Sequence, residues 1–413
     1  MILPSAAIQR ALPAFLIFTC VYILYSFHSH SARDPTSVFF DPPTGYAPTY
    51  SMLRSEQANQ FIFNHSRGGG SVPPGTDKKL CVGIPSFPRK DAGHLRTTIG
   101  SLLEGLTPEE RSEIYLIAFI PHSDPRNHPQ YSEKWLSDLT DELLLYHVPD
   151  WELKHIIEMQ AAGGLYREKS LYDWSYLLKA CHKQATKYVA IIEDDTVAMD
   201  GWYHRTIAAL QDTEKQSALQ RASPDFFYLR LFYTEHYFGW NSEYWPTYLF
   251  WSLVVASIAI TAILFFRSSS AVLKRVPLRR VLLTTLGLCA SGILLFFAAG
   301  RLTVLSHPPG VHEMPHFGCC SQALVFPHAK AMSVVRLFEE RRFGFVNTIL
   351  EEHADRTGQL RWALTPSVVQ HMGRATSKVE EYGDKIWNFA FEQNNPEDLR
   401  REHWQATHMK QHA

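Results

Sequence analysis

The sequence predicts an α/β domain on a largely parallel sheet, carried on one N-terminal membrane-spanning helix and interrupted by a membrane-spanning hairpin. Three observations predict it. From Leu80 onward, short apolar runs alternate with segments of helical period. Three uncharged apolar stretches, residues 11–27, 248–266 and 281–300, are long enough to approach or cross a hydrocarbon core about 30 Å thick. Three adjacent carboxylates, Glu193, Asp194 and Asp195, directly follow one of the apolar runs.

The membrane elements come first in the argument because they set the compartment. Residues 11–27 have the length and the preceding Arg10 of either an anchor or a signal peptide. Bulky Tyr25, Phe27 and His28 stand where a small-residue cleavage site belongs, so the anchor is expected. Between the other two stretches, residues 267–280 carry Arg267, Lys274, Arg275, Arg279 and Arg280 and no acid. A short loop with that excess of cations stays in the cytosol. The hairpin therefore enters from the lumen and returns to it, and the N-terminus is cytosolic. Asn64, in the triplet Asn64-His65-Ser66, is then a lumenal glycosylation acceptor. The expected division is a cytosolic tail (1–10), an anchor (11–27), a lumenal stem rich in Ser, Pro and Gly (28–79), a first part of the folded domain (80–246), a hairpin (247–301) with its cytosolic loop (267–280), and a second part of the domain (302–413).

A formal net charge of -1 over 413 residues excludes the basic footprint of a nucleic-acid binder. The spans hold no charged residue, which argues against a transporter. Of the six cysteines, Cys20 and Cys289 fall in spans. Cys81, Cys181, Cys319 and Cys320 are lumenal on this topology and permit two disulfides in any of three pairings. No CxxC or Cys/His spacing suggests zinc.

Within the domain, Leu80–Pro85 reads as a buried strand, and residues 91–106 follow with Leu95, Ile99, Leu102, Leu103 and Leu106 at helical spacing. A strand over 114–121, a helix over 132–140 and a strand over 143–148 come next. Residues 171–184 form a helix with Leu171, Trp174, Leu177, Leu178 and Cys181 on one face. The strand 188–192 runs into the carboxylates. A helix over 202–210 and a strand over 226–232 precede the hairpin. A strand over 322–326 and helices over 329–343 and 345–355 follow it, too little for an independent domain, so they are expected to complete the first part.

Ligands of open α/β sheets bind beyond the carboxyl ends of strands, which is where Glu193, Asp194 and Asp195 lie. One Asp suffices to cap a helix. Three adjacent acids repel one another, and a divalent cation such as Mg²⁺ or Mn²⁺ relieves that repulsion while binding substrate phosphates.

A strand leading into such an acidic motif is similar to the GT-A class of nucleotide-sugar glycosyltransferases. The whole layout resembles the post-GPI-attachment-to-proteins factor 4 family, GPI-anchor N-acetylgalactosamine transferases with an N-terminal span and a hairpin inserted in a GT-A domain. The resemblance rests on VGIPSFPRK (82–90), REKSLYDWSYLLKAC (167–181), YVAIIEDD (188–195), TPSVVQHMGRATSK (365–378) and the inserted hairpin. It implies a Golgi membrane enzyme with a lumenal, inverting, UDP-sugar-dependent site that uses Mn²⁺ or Mg²⁺, and an acceptor in the mannose core of GPI anchors. It implies that Asp195 ligates the metal, that Glu193 and Asp194 orient the donor, and that His371 contacts metal or diphosphate. Residues 85–90 after the first strand, Pro85 and Arg89 among them, would face the nucleotide, and Lys169 and Asp173 would line the donor site. The general base would come from Glu351 or Glu352, with Asp355 nearby, because some relatives carry an acid where Asn347 stands. The EDD strand and the QHMG element also resemble N-acetylglucosaminyltransferase IV, so a transferase for N-glycans is the alternative, and a non-catalytic membrane protein on a decayed transferase fold is a third reading.

Overall fold

The structure is a computed structural model describing residues 6–66, 78–88, 94–161, 166–316, 318, 320–372 and 387–409. It divides into two units, Met1–Ala47 with Glu235–His307, and Pro48–Thr234 with Pro308–Ala413.

The larger unit is built on an eight-stranded sheet. Its strands are β1 (Leu80–Pro85), β2 (Ile114–Phe119), β3 (Glu142–Leu144), β4 (Tyr188–Ile192), β6 (Tyr228–Arg230), β7 (Gly310–Glu313), β8 (Ala323–Pro327) and β9 (Arg361–Thr365), in the order β3-β2-β1-β4-β8-β6-β9-β7. A two-stranded ribbon pairs β5 (Thr196–Ala198) with β10 (Val369–His371). β1 and β4 are buried along their whole length, which explains why they read as unbroken apolar runs and not as alternating patterns. The helices His94–Leu103 and Tyr166–Lys183 serve as crossovers, and β3, β2, β1 and β4 are accordingly parallel. A disulfide joins Cys81 in β1 to Cys181 in the Tyr166–Lys183 helix. Cys320 is also disulfide-bonded.

The strands that follow the hairpin do complete the same sheet. β8 inserts between β4 and β6 and runs antiparallel to both, and β7 runs antiparallel to β9. The sheet is therefore mixed but mostly parallel, as expected, and only the antiparallel placement of β7 and β8 departs from the sequence reading. A crossover helix forces parallel pairing, but β7 and β8 are reached through the hairpin insertion, and hydrophobic periodicity carries no information on direction.

A second correction concerns the stem. Residues expected to be a linker include the helix Tyr50–Ser66, which packs into the core through Tyr50, Ala58 and Ile62. Its Arg54 is fully buried and donates to the carbonyls of Ala198 (3.1 Å) and Ser101 (3.0 Å), with Glu104 and Asp200 as ion partners. A buried guanidinium held by this many acceptors gives no apolar signal in a sequence. Asn64 lies exposed near the end of this helix.

The smaller unit holds the helix Ala6–Ser31 and the two long apolar helices Trp245–Ser269 and Leu278–Ala298. Both of the latter are long and apolar enough to cross a membrane. Large apolar side chains such as Leu249, Phe250, Trp251, Leu253, Leu288 and Leu294 are exposed along them, as lipid-facing residues must be. Asp34 accepts from Thr36 N–H (2.7 Å) and hydroxyl (2.6 Å) and from Thr303 N–H (2.8 Å) and hydroxyl (3.0 Å). One buried carboxylate thus ties the segment after the N-terminal helix to the segment after the hairpin.

Candidate active site

The parallel register of β1 on β4, Leu80 opposite Tyr188 and Gly83 opposite Ile191, brings the exits of both strands to one end of the sheet. Pro85 ends β1 and Ser86 follows it; Glu193, Asp194 and Asp195 follow β4. Asp194 and Asp195 are 3% and 7% exposed, so each carboxylate depends on protein partners. The Ser86 hydroxyl donates to Asp194 Oδ2 at 2.6 Å. His128 Nδ1 accepts from the Gln130 N–H at 3.2 Å, which leaves the ring proton on Nε2, 3.0 Å from Ser86 Oγ. Burial holds His128 below the usual histidine range, with nearby His122 adding to the effect, so the imidazole stays neutral. The proton order is thus His128 to Ser86 to Asp194. Thr98 Oγ1 lies 2.7 Å from the carbonyls of both Asp194 and Thr196 and pins the turn.

The β5–β10 ribbon supplies the second side of the site. Its antiparallel register sets His371 opposite Thr196, and the Met372 N–H donates to the Asp195 carbonyl at 2.8 Å. His371 is buried, with Nε2 3.5 Å from Asp195 Oδ2. Gln370 fixes the ribbon by donating to Asn388 O (2.8 Å) and Glu392 Oε1 (2.9 Å) and accepting from Asn388 N–H (3.1 Å). Glu193 Oε1 accepts from the Ser321 hydroxyl at 2.6 Å, and Glu193 N–H donates to Gln322 O at 2.8 Å.

Behind the β1 exit, Lys169 and Asp173 form a buried pair one turn apart on the Tyr166–Lys183 helix. Lys169 Nζ lies 2.9 Å from each Asp173 oxygen, 2.9 Å from Pro121 O and 2.8 Å from Tyr146 OH, and Tyr146 also donates to Asp173. Burial pulls the Lys169 ammonium below its ordinary range and lifts the Asp173 carboxyl to about 6, while their mutual attraction opposes both shifts. All of the ammonium's donors are engaged by protein acceptors.

Glu351, on the helix Val346–Thr357, is buried and accepts from Arg230 (2.6 Å), Arg361 (2.5 Å) and the Tyr228 hydroxyl. Asp355 accepts from Arg361 at 2.7 Å. Arg230 also donates to the Cys320 carbonyl. A Cβ on Gly318 would fall 2.3 Å from Glu351 Oε1, so only glycine lets that backbone lie on the carboxylate. The Glu351 cluster therefore secures Gly318 and the 320–322 segment, whose Ser321 and Gln322 hold Glu193. Glu352, in contrast, is 55% exposed and pairs with Arg341 at 3.1 Å.

The family model described as GPI-N-acetylgalactosamine transferase PGAP4 matches residues 149–370, more than half of the 413. The chain belongs to this family. The match takes in β4, the three carboxylates and both long apolar helices, and it ends one residue before His371. Alpha-1,3-mannosyl-glycoprotein 4-beta-N-acetylglucosaminyltransferase A of Gallus gallus is 26% identical over 165 residues, covering 37% of this chain and 29% of that protein. The Bos taurus protein of the same description is 21% identical over 222 residues (49% and 40%), and that of Xenopus tropicalis 24% over 186 (41% and 32%). The chain thus spans less than half the length of the curated relatives it matches.

Of the residues expected from sequence, the fold brings Glu193, Asp194, Asp195 and His371 together at the ends of β1 and β4. Pro85 is beside them by register. Lys169 and Asp173 lie in their own buried network, and Glu351 is linked through Arg230 to the Cys320 carbonyl. Arg89 is outside the described residues. Sequence reading placed Ser86 in the 85–90 segment expected to face the nucleotide without singling it out, and missed His128, Thr98 and Ser321. Ser86 was open to discovery, since it is the first residue beyond a strand that ends where ligands bind. The others reach the site from loops and helices with no local signal.

Proposed function

We propose that this chain is a Golgi glycosyltransferase of the GT-A class that transfers N-acetylgalactosamine from a UDP-sugar to the mannose core of GPI anchors. The observation that carries the reading is the meeting of Asp195 and His371 beside Glu193 and Asp194 at the ends of parallel strands, in a member of this family. Asp195 Oδ2 and His371 Nε2 are 3.5 Å apart. Neighbouring ligands on one divalent ion sit roughly 3 Å apart; a carboxylate with substrate phosphates suits Mn²⁺ or Mg²⁺, and a single neutral imidazole beside them favours Mn²⁺. Asp195 and His371 would hold that ion, whose charge supports departure of the diphosphate.

The chain's own groups then have distinct tasks. Asp194, fixed by Ser86 and His128, and Glu193, fixed by Ser321, orient the donor, with Pro85 and Arg89 bordering it. Lys169 and Asp173 support the β1 exit that faces the donor. Inverting transfer needs a base that removes the acceptor proton. Glu351 has its oxygens engaged by two guanidiniums and a phenol, which makes it a positioning residue that acts through the 320–322 segment. Exposed Glu352, bound only at the surface to Arg341, contributes little.

The boundaries proposed for the membrane plan are those expected from sequence, with the hairpin over 247–301, its loop over 267–280 cytosolic and the catalytic parts lumenal, and with Asn64 glycosylated. A hairpin spliced into the catalytic domain keeps the site tethered at a bilayer, where a lipid-linked acceptor lies. The relatives that act on N-glycans favour a second reading, transfer of N-acetylglucosamine to glycoproteins. Mass spectrometry of GPI glycans and N-glycans from cells with and without the gene separates the two. Loss of an N-acetylhexosamine from GPI glycans alone supports the proposal; loss from N-glycans alone contradicts it.

A further inference from the structure

Away from the carboxylates of the β4 exit, the larger unit gathers a second set of metal-ligating side chains. Glu110 belongs to the short helix Pro108–Ser112, His204 to the first turn of Trp202–Arg221 and His403 to Pro396–Met409. One ligand atom from each lies within 4.8 Å of the others. The His204 and His403 rings are parallel to within 5° with centroids 5.1 Å apart, and His403 Nε2 is 2.8 Å from Glu110 Oε2. The three residues are 7%, 9% and 9% exposed.

Two further observations point to a cation. Glu110 Oε2 already accepts the Thr107 N–H at 3.0 Å in a capping box, whereas Oε1 is buried and makes no hydrogen bond among the described residues. A buried carboxylate oxygen with no donor, on a carboxylate whose other oxygen meets the His403 imidazole, calls for positive charge. The chain is also cleared for this arrangement at Gly201, which has φ +69°. A Cβ there would lie 2.5 Å from His204 Cε1 and 3.2 Å from His403 Cβ. Glu402 comes within 3.9 Å of His204 Nε2 but is held by Arg205 at 2.5 Å.

We propose that Glu110, His204 and His403 bind a zinc-class divalent cation, with water in the fourth position, and so clip the C-terminal helix to the body of the domain. Two imidazoles and one carboxylate match the preference of zinc over magnesium or manganese. Ligand atoms around a tetrahedral zinc ion stand about 3.3 Å apart, so the Glu110 and His403 atoms need to open by only about half an ångström. The ligands are far apart in sequence, so no spacing motif reveals them. Glu110 and His403 both lie outside the 149–370 family match.

The test is zinc titration of the full-length chain in detergent after stripping with a chelator, read by competition with a chromophoric zinc indicator. Wild type and Asp195→Ala are each expected to bind an equivalent of zinc at micromolar concentration or below, with a rise in Tm on loading. His204→Ala is expected to weaken that binding by on the order of a hundredfold and to abolish the Tm shift. Glu110→Gln keeps the capping acceptor and serves where His204→Ala fails to fold; it is expected to show the same loss. Absence of zinc binding in wild type overturns the proposal. So does binding undiminished in both His204→Ala and Glu110→Gln, or binding lost in Asp195→Ala and kept in His204→Ala.

Discussion

Two sets of buried carboxylates lie in the larger unit, and their partners differ. Asp194 and Asp195 meet a hydroxyl from Ser86 and an imidazole from His371. Glu351 meets the guanidiniums of Arg230 and Arg361 and the phenol of Tyr228. A carboxylate matched by two guanidiniums is locked in place, and its charge is spent within the protein. A carboxylate oriented by a hydroxyl and an imidazole keeps charge to offer a cation. On the proposed function, the difference separates the acids that do chemistry from those that hold them in position. It also inverts what sequence proximity suggests, since an acidic helix such as Val346–Thr357 reads as a source of catalytic bases.

The comparison is tested most severely by Asp195→Ala. Loss of that ligand is expected to reduce transfer on the order of a thousandfold, about 4 kcal/mol of transition-state stabilisation, with the far-UV spectrum and Tm near wild type. Transfer within tenfold of wild type would place the metal elsewhere. Glu351→Gln should act the other way round, on folding first. It leaves Arg230 and Arg361 buried beside a neutral amide, at a cost of about 3–5 kcal/mol in denaturant unfolding. A loss under about 1 kcal/mol there would show that the cluster is not the structural lock described.

Ser86→Ala sharpens the comparison at the carboxylates that follow β4. Removing the hydroxyl between His128 and Asp194 is expected to lower kcat/KM about tenfold, equivalent to about 1.4 kcal/mol, with little change in Tm. An unchanged kcat/KM would mean that Asp194 needs no orientation. The smallest effect is expected from Glu352→Gln, whose surface pair with Arg341 is worth under about 1 kcal/mol. Its activity should stay within about twofold of wild type, and a loss as large as that of Asp195→Ala would restore Glu352 as the base.

The same comparison explains what could be read in the sequence. β1 and β4 were legible because strands buried on both faces are unbroken apolar runs, and the carboxylates were legible because they end one of them. The long apolar helices were legible from length alone. Strand direction in β7 and β8 was not, because it depends on how the chain re-enters after the hairpin. The β5–β10 ribbon was not, because three-residue strands have no period to detect. His371 was therefore found only by resemblance. The helix Tyr50–Ser66 was hidden by its buried Arg54 and Ser51, which look solvated in a sequence and are satisfied only by partners far along the chain. The Glu351 network was hidden for the same reason, since Arg230, Arg361 and Glu351 come from separate elements. The pairing of Cys81 with Cys181 needed the packing of a helix on β1 to decide it.

The most direct test of the central claim is reconstitution. The full-length chain, purified in detergent and stripped of metal, is incubated with UDP-N-acetylgalactosamine and a GPI-linked acceptor, and the product glycan is weighed by mass spectrometry. The account predicts the mass of an added N-acetylhexosamine only after Mn²⁺ or Mg²⁺ is restored, and none from Asp195→Ala under any condition. Transfer that proceeds equally in excess chelator, or that Asp195→Ala performs as well as wild type, would contradict it.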